Sequence, residues 1–220
     1  MVIAKKAIWQ GDAPLNEIAR RLAQREPLVP LVEVDDFQGL SREMAERAMS
    51  RSGRVPNQAR AMANAPDLGG VYRRLFEDLS SYATMPAGFR LLIRYKVSTL
   101  NTCLYCSAHQ IKYMAQNGVA EEKVANIHQS DTHPAFDERE RVALAFAQAL
   151  TEDASNIPDT LSERFVALFT PAERVEISVV AAAMGCMNKI NDALRIPLEE
   201  VALDIVGTGV DMTKLQAAAE

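Results

Sequence analysis

The sequence predicts an all-α protein, and three observations favour this fold class. Ala, Leu, Glu, Arg and Met, which stabilise helices, are frequent among the 220 residues, whereas runs of β-branched residues are scarce. Apolar side chains recur at helical spacing in several segments. Pro, Thr and Asp stand where these segments begin, and Gly stands where they end. With 48% apolar and 24% charged residues, the chain can form a substantial core.

The charge and hydropathy of the chain exclude several classes of partner. A net charge of −5 argues against nucleic-acid binding, which needs a basic surface. No apolar run approaches the roughly 20 residues that span a bilayer, and no signal peptide is recognisable. We therefore expect a cytoplasmic protein without a nucleic-acid or membrane partner. In a reducing compartment, a C-x-x-C motif more often serves catalysis or metal binding than a static disulfide.

The first 50 residues are predicted to form an N-terminal arm with the first helices. A helix is expected over 14–24, and an extended segment over 26–37, where two prolines occur. This arm would wrap its own domain or a neighbouring subunit. A helix over 37–51 follows, and Gly53 is suited to the position just after its end.

The middle of the chain contains the most regular helical patterns. A short helix is expected to end near residue 64, and Pro66 opens a stronger one. Pro86 opens another, which runs directly towards the cysteines. The helix at Pro66 has an apolar stripe formed by Leu68, Val71, Tyr72, Leu75, Phe76 and Leu79.

Capping signals define the helices of the C-terminal half. After a short helix over 120–128, Asp137 with Glu140, and Thr170 with Glu173, resemble capping boxes. The helix over 171–194 contains the run VVAAAMGCM and is predicted to be the central buried helix. A tail over 198–220, with a turn and a small last helix, completes the chain.

The reactive side chains concentrate in STLNTCLYCSAHQIKY, residues 98–113. Cys103, Cys106 and His109 stand there at C-x-x-C-x-x-H spacing. Thr102 is predicted to cap a helix that ends at Gly118, which would place Cys103 in its first turn. The three side chains would share one face of that helix, opposite an apolar stripe of Leu104, Ala108, Ile111 and Ala115.

This arrangement is typical of a dithiol redox cycle. A helix N-terminus favours the thiolate, which is the reactive form of cysteine. Cys106 lies one turn from Cys103, and His109 could move a proton on the same face. One thiolate would attack a peroxide or a disulfide, and the second cysteine would resolve the product. Such a cycle needs no cofactor other than the redox-active disulfide, but it needs an external thiol reductant.

Other readings of the motif remain open. A c-type haem site is excluded because Ser107, and not His, follows the second cysteine. Zinc would need a distant fourth ligand, His128 or His133, because no second C-x-x-C exists. The cysteines could also be inert core residues, a description that fits Cys186 best.

Three passages carry a resemblance to a known family. They are GRVPN with the following NAPDL, the helix that leads into LNTCLYCSAHQ, and DERERVALAFAQALTED with PAERVEISVVAAAMGCMNKINDAL. The chain resembles the alkylhydroperoxidase D/carboxymuconolactone decarboxylase superfamily, in its peroxidase-related branch, over roughly residues 50–197. The resemblance implies an alkylhydroperoxidase D-like helical bundle over 51–197, between the arm (1–50) and the tail (198–220). It also implies a homo-oligomer, from dimer to hexamer, and thiol-dependent reduction of a hydroperoxide or a disulfide.

The resemblance also assigns roles to individual residues. It implies that Cys106 reacts with peroxide and that Cys103 resolves the product. Two positions depart from the family pattern. Leu91 stands where a Glu is expected twelve residues before the first cysteine, and Gln110 occupies the usual His position, with His109 one residue earlier.

A substitute for the missing carboxylate is needed, because a peroxidase must deliver a proton to the leaving oxygen. Glu176 falls on the apolar side of the predicted 171–194 helix, where a carboxylate should be paired or functional. We expect it to approach His109, and the alternative is an ion pair with an arginine. For the whole chain the alternatives are a carboxymuconolactone decarboxylase-like enzyme and a non-catalytic, zinc-stabilised helical assembly protein.

Overall fold

Nine α-helices occur over residues 26–199, the part of the chain that the computed structural model describes, and no strand occurs there. The helices predicted over 14–24 and near the C-terminus lie outside the described residues. The helices are α1 (Gly39–Ser52), α2 (Asn57–Met62), α3 (Pro66–Ser81), α4 (Ala87–Leu100), α5 (Leu104–Gln116), α6 (Glu121–Ala125), α7 (Glu138–Asp153), α8 (Asp159–Leu168) and α9 (Pro171–Ala193). The predicted all-α class is confirmed.

Most helix boundaries follow from local chemistry, as the sequence predicts. Asp137 and Thr170 each cap a helix, and in both cases the N3 glutamate bonds back to the cap residue to complete a capping box. Pro66 is the first residue of α3. Gly53 closes α1 with φ +67°, a left-handed conformation that favours glycine.

The central helix of the bundle is α4, and not α9 as the sequence suggested. α4 packs against α5, α7 and α9, and its residues Ile93, Tyr95 and Val97 are at most 1% exposed. In α9 one face is buried, but Val175 is 64% exposed and Cys186 is also exposed. The continuous run of small apolar residues in α9 did not indicate which face is covered. The prediction that Cys186 is a core residue was therefore wrong.

The α1–α3 pair is held together by glycines. Gly69 and Gly70 are buried where α3 meets α1 and α2, and a Cβ at Gly70 would lie 2.6 Å from the carbonyl carbon of Leu40. The apolar stripe of α3 points elsewhere. Leu68, Val71 and Leu75 are 68%, 57% and 48% exposed, and we call these three residues the outer stripe.

The described part of the N-terminal arm, from residue 26 onwards, packs on its own domain. Leu28 N–H donates to the Leu194 carbonyl at 3.0 Å, and the Arg60 guanidinium donates to the Val32 carbonyl at 3.1 Å. These contacts join the arm to α2 and to the residue that follows α9. Among the described residues, every helix is too short or too polar to span a membrane.

Candidate dithiol site

The turn before α5 decides where the two cysteines lie. Thr102 has a left-handed φ of 56°, and its hydroxyl donates to the Asn101 carbonyl at 2.7 Å. It therefore does not cap the helix, and the prediction that it would was wrong. Cys103 is the N-cap residue and Cys106 lies in the first turn of α5. The backbone N–H of Cys106, one of the donors left unpaired at the helix N-terminus, hydrogen-bonds to the Cys103 thiol.

The two cysteines form a hydrogen-bonded pair of free thiols. Cys103 Sγ donates to Cys106 Sγ at 2.9 Å, and the two residues are 0% and 2% exposed. Burial, together with this hydrogen bond, raises the pKa of Cys103 well above its ordinary value. Burial alone would also raise the pKa of Cys106. Hydrogen bonds from Cys103, Asn191 and Asn188 outweigh it, so the pKa of Cys106 is lowered.

Two asparagines of α9 complete the surroundings of the thiols. Asn191 Nδ2 donates to Cys106 Sγ at 3.2 Å. Asn188 accepts from Asn101 at 3.0 Å and donates to the Ser98 hydroxyl at 3.2 Å, which ties α9 to the turn between α4 and α5. Both residues are at most 1% exposed. The sequence analysis missed them, although two amides spaced by three residues in an apolar helix are a usable signal.

His109 forms an ion pair with a carboxylate that the sequence analysis did not identify. Its Nε2 lies 3.2 Å from Glu199 Oε2, and its Nδ1 lies 2.8 Å from the Tyr105 carbonyl oxygen. Because that oxygen can only accept, Nδ1 carries a proton. Glu199 Oε1 accepts from the Asn57 N–H at 2.6 Å and from the Tyr105 hydroxyl at 2.8 Å. Glu199 therefore joins α2 and α5 at the site.

The charges of this pair reinforce each other. Burial tends to lower the pKa of His109, but the hydrogen bond and negative charge of Glu199 raise it overall. Burial tends to raise the pKa of Glu199, but His109, the Asn57 N–H and the Tyr105 hydroxyl lower it to about 2. The two pKa shifts therefore both favour the charged form of the pair. Glu199 lies in the predicted tail, where no pattern distinguishes it from Glu200.

Glu176 does not contact His109, and the expectation that it would was wrong. Its carboxylate accepts from the Thr84 N–H at 2.9 Å, the Thr84 hydroxyl at 2.8 Å and the Met85 N–H at 3.0 Å. Arg90 Nε lies 3.8 Å away, so the alternative of an ion pair with an arginine describes the site better. Glu176 anchors α9 to the loop before α4, and its side chain is 14% exposed.

Replacing Glu176 with alanine is expected to lower the free energy of unfolding by about 1–3 kcal/mol, because three donors lose a charged acceptor. Burial tends to raise the pKa of Glu176, but the Thr84 and Met85 donors lower it overall, so this contribution exists above its ordinary pKa and is lost on acidification. Urea denaturation measures the loss. The rate of cysteine oxidation should not change, and a large loss of rate without a loss of stability would restore Glu176 to the site.

A pocket of about 640 Å³ opens between the α1–α3 side and the α4–α5–α9 side of the bundle. Cys106 and His109 line it, whereas Cys103 does not. Leu91 also lines it and is 6% exposed, so the position of the family glutamate is an apolar part of the wall. A small molecule in this pocket would therefore contact Cys106, whereas Cys103 is not exposed to the pocket.

A metal site at the motif lacks the ligands it needs. Among residues 26–199, no group of three or more His, Cys, Asp and Glu side chains is placed to hold a metal ion. His133 Nε2 lies 4.0 Å from a carboxylate oxygen of Glu122. The pKa of His128 falls to about 4, because the residue is buried and lies near Lys96. Neither supplies a fourth zinc ligand to the motif.

Solved structures share this fold. The debrominase Bmp8, in a cysteine-to-alanine variant with 2,3,4-tribromopyrrole, is 21% identical, with 86% of this chain and 99% of that chain covered and a TM-score of 0.73. A peroxidase-related protein of Ralstonia eutropha JMP134 with an alkylhydroperoxidase AhpD core is 18% identical (82% and 96% covered, TM-score 0.74). Another peroxidase-related protein, from Silicibacter sp. TM1040, is 20% identical (81% and 95% covered, TM-score 0.70).

Sequence comparison matches the middle of the chain to a known family. No curated protein matches the chain. The model of the carboxymuconolactone decarboxylase family matches residues 66–149, which run from the start of α3 into α7 and include both Cys103 and Cys106. This match and the shared fold confirm the resemblance seen in the sequence. Residues 66–149 are therefore similar to the carboxymuconolactone decarboxylase family, and the described residues share the fold of an alkylhydroperoxidase AhpD core.

Proposed function

We propose that the protein is a thiol-dependent peroxidase that reduces organic hydroperoxides with the Cys106/Cys103 dithiol. One observation carries the proposal: the thiol that faces the pocket is the one whose pKa is lowered, and its protonated partner lies behind it. A nucleophile needs both access to substrate and thiolate character, and Cys106 has both.

The first step is attack of the Cys106 thiolate on the distal oxygen of the hydroperoxide. The O–O bond breaks, an S–O bond forms, and the alkoxide leaves as the alcohol after taking up one proton. His109 supplies this proton, since it lies one turn from Cys106 on α5 and Glu199 raises its pKa, which favours the protonated form. Glu199 thereby takes the part that the resemblance gives to the glutamate missing at Leu91.

The second step forms the disulfide. Cys103 attacks the Cys106 sulfenic sulfur, a molecule of water leaves, and the two thiols have together supplied two electrons. The Sγ atoms already lie 2.9 Å apart, so little movement of the backbone is needed. An external thiol, acting by thiol–disulfide exchange, returns the two electrons. A disulfide substrate would enter the same cycle as a mixed disulfide on Cys106.

The setting of the proposed activity follows from this chemistry. We place it in the cytoplasm, where thiol reductants keep the pair reduced between cycles. We also propose a homo-oligomer, from dimer to hexamer, in which a second copy of the chain covers the outer stripe. Three neighbouring apolar side chains, each at least 48% exposed, favour such an interface.

A thiol count tests the peroxidase proposal directly. One equivalent of tert-butyl hydroperoxide should remove two thiols within seconds to minutes, and mass spectrometry should find a Cys103–Cys106 disulfide. Cys186 is exposed and would react separately, so the measurement belongs in a Cys186→Ser variant. Thiols that persist for hours under excess hydroperoxide would overturn the proposal.

A second candidate is reductive removal of bromide from an aromatic substrate, favoured by the fold shared with Bmp8. The same dithiol would supply two electrons, replace an aryl C–Br bond by C–H and release bromide as the disulfide forms. Bromide release from tribromopyrrole, with no response to hydroperoxide, would favour this candidate. The family match keeps lactone decarboxylation as a third possibility, which activity in a double Cys→Ser variant would support.

A further inference from the structure

The pocket in front of Cys106 has a charge opposite to that of the chain. Five of its lining residues are Arg or Lys, and Glu77 is the one Asp or Glu among the described residues that line it. The whole chain has a net charge of −5, so composition does not explain this excess. The Glu77 carboxylate also forms an ion pair with Arg47, with 3.9 Å between Glu77 Oε2 and Arg47 Nη1. We call the five cations the cationic wall: Arg54, Arg73, Arg90, Arg94 and Lys112.

Much of this positive charge is not neutralised by nearby groups. Arg90 binds the Met85 carbonyl and lies near Glu176, and Arg73 binds the amide oxygen of Gln58, at 3.4 Å. The side chains of Arg94, Arg54 and Lys112 form no hydrogen bond or ion pair with any residue among 26–199. A lining guanidinium without an acceptor is available to a ligand that brings one.

The cations also act on one another. Burial and the nearby charge of Arg54 lower the pKa of Lys112, and the charge of Glu199 opposes the change in part. Burial lowers the pKa of Arg94, the charge of Arg90 lowers it further, and the Tyr113 hydroxyl and the Cys106 thiol oppose the change. Like charges gathered on one wall repel each other, and a bound anion would relieve this repulsion. Arg94 and Cys106 line the same pocket, so the cationic wall and the reactive thiol face one ligand space.

We infer that the pocket selects a substrate with a carboxylate, which the cationic wall binds through Arg94 while the hydroperoxide group faces Cys106 and His109. This inference rests on the proposed function and names its substrate class, an organic hydroperoxide that also carries a carboxylate. Arg94 and Leu91 stand close together on α4, and both line the pocket. The pocket thus offers Arg94 to the carboxylate and the apolar side chain of Leu91 to the carbon skeleton of the substrate.

A matched pair of substrates tests the inference. Cumene hydroperoxide and its 4-carboxylate differ only in the anionic group. The carboxylate should oxidise the dithiol of the Cys186→Ser protein at least about tenfold faster at low concentration, as expected for a charge-assisted hydrogen bond. The preference should shrink as salt is raised. Equal rates for the two compounds would overturn the inference and leave the peroxidase proposal intact.

Variants assign the preference to Arg94. Arg94→Gln should remove most of the preference, measured as the ratio of the two rates within the same variant, and Arg94→Lys should retain part of it because the charge remains. Arg74→Gln is the matched control, since Arg74 lies on α3 outside the pocket and pairs with Asp78. A preference that survives Arg94→Gln would contradict the role of Arg94.

Binding measurements separate this inference from the redox chemistry. By calorimetry, 4-isopropylbenzoate should bind at least about tenfold tighter than the neutral 4-isopropylbenzamide, and Arg94→Gln should abolish the difference. If neither hydroperoxide oxidises the thiols, the proposed function fails, and this comparison still decides whether the pocket selects anions. Equal binding of the two compounds would overturn the inference.

Discussion

Replacing Cys106 with serine is expected to abolish hydroperoxide-driven thiol oxidation, lowering the rate by about a thousandfold or more. A serine hydroxyl is not ionised near neutral pH, so the surroundings that lower the pKa of Cys106 cannot make it a comparable nucleophile. Cys103 remains in this variant, but its pKa is raised and it does not line the pocket. Stopped-flow measurement with one equivalent of tert-butyl hydroperoxide, in the Cys186→Ser background, gives the rate.

The reciprocal variant separates the two steps. Cys103→Ser should still react with hydroperoxide, because the serine hydroxyl can donate to Cys106 as the Cys103 thiol does. Without the resolving thiol the sulfenic acid should accumulate, and dimedone should label Cys106. The opposite pattern, with a sulfenic acid trapped on Cys103 in Cys106→Ser, would exchange the two roles. The Cys186→Ser protein is the control for both variants.

The helices could be predicted because their signals are local. The capping boxes at Asp137 and Thr170 involve residues three positions apart, and Gly53 closes α1 through its own φ. The Thr102 prediction failed although it was also local. A left-handed turn, in which the hydroxyl binds the preceding carbonyl, competes with capping and is not visible in the pattern.

The candidate site was predictable only where it lies within one helix. The spacing of Cys106 and His109 places both on α5, so the motif alone indicates that they act together. Glu199 and Asn191 come from elements more than 80 residues away. An imidazole can pair with a carboxylate from any segment that lies within hydrogen-bond reach. The presence of Leu91 at the family's glutamate position therefore does not indicate which other carboxylate pairs with His109. The apolar neighbours of Glu176 along its helix predict that its carboxylate has a partner, but they do not indicate which one. The partners are Thr84 and Met85, and not His109.

The second large effect is expected from Glu199→Gln, which keeps a side-chain acceptor for Asn57 and Tyr105 but removes the negative charge. The pKa of His109 should fall, because burial then acts on it without the opposing carboxylate. At neutral pH a smaller fraction of His109 would be charged, and the oxidation rate should fall about ten- to hundredfold. The alkaline limb of the pH–rate profile should move to lower pH.

The free energy of unfolding should also depend on the His109–Glu199 pair, and the direction of its pH dependence follows from the two pKa shifts. The pKa of Glu199 is lowered to about 2. Its contribution to the free energy of unfolding is therefore fully present above its ordinary pKa, and it is lost as the pH falls from that ordinary pKa to the lowered one. His109 has a raised pKa, so its contribution is present below its ordinary pKa and is lost as the pH rises through the raised one. Glu199→Gln should therefore cost on the order of 2 kcal/mol between these limits.

The pH profile distinguishes proton delivery from a structural role. A Glu199 that only held the C-terminal segment in place would change stability and leave the alkaline limb where it is. Glu163→Gln is a suitable control, because Glu163 is an exposed residue of α8 away from the pocket. In the proposed mechanism Cys106 performs the nucleophilic attack and the His109–Glu199 pair delivers the proton, so a variant of either should slow the reaction. Only the Glu199 variant should shift the alkaline limb, and an unchanged limb would remove Glu199 from the proton relay.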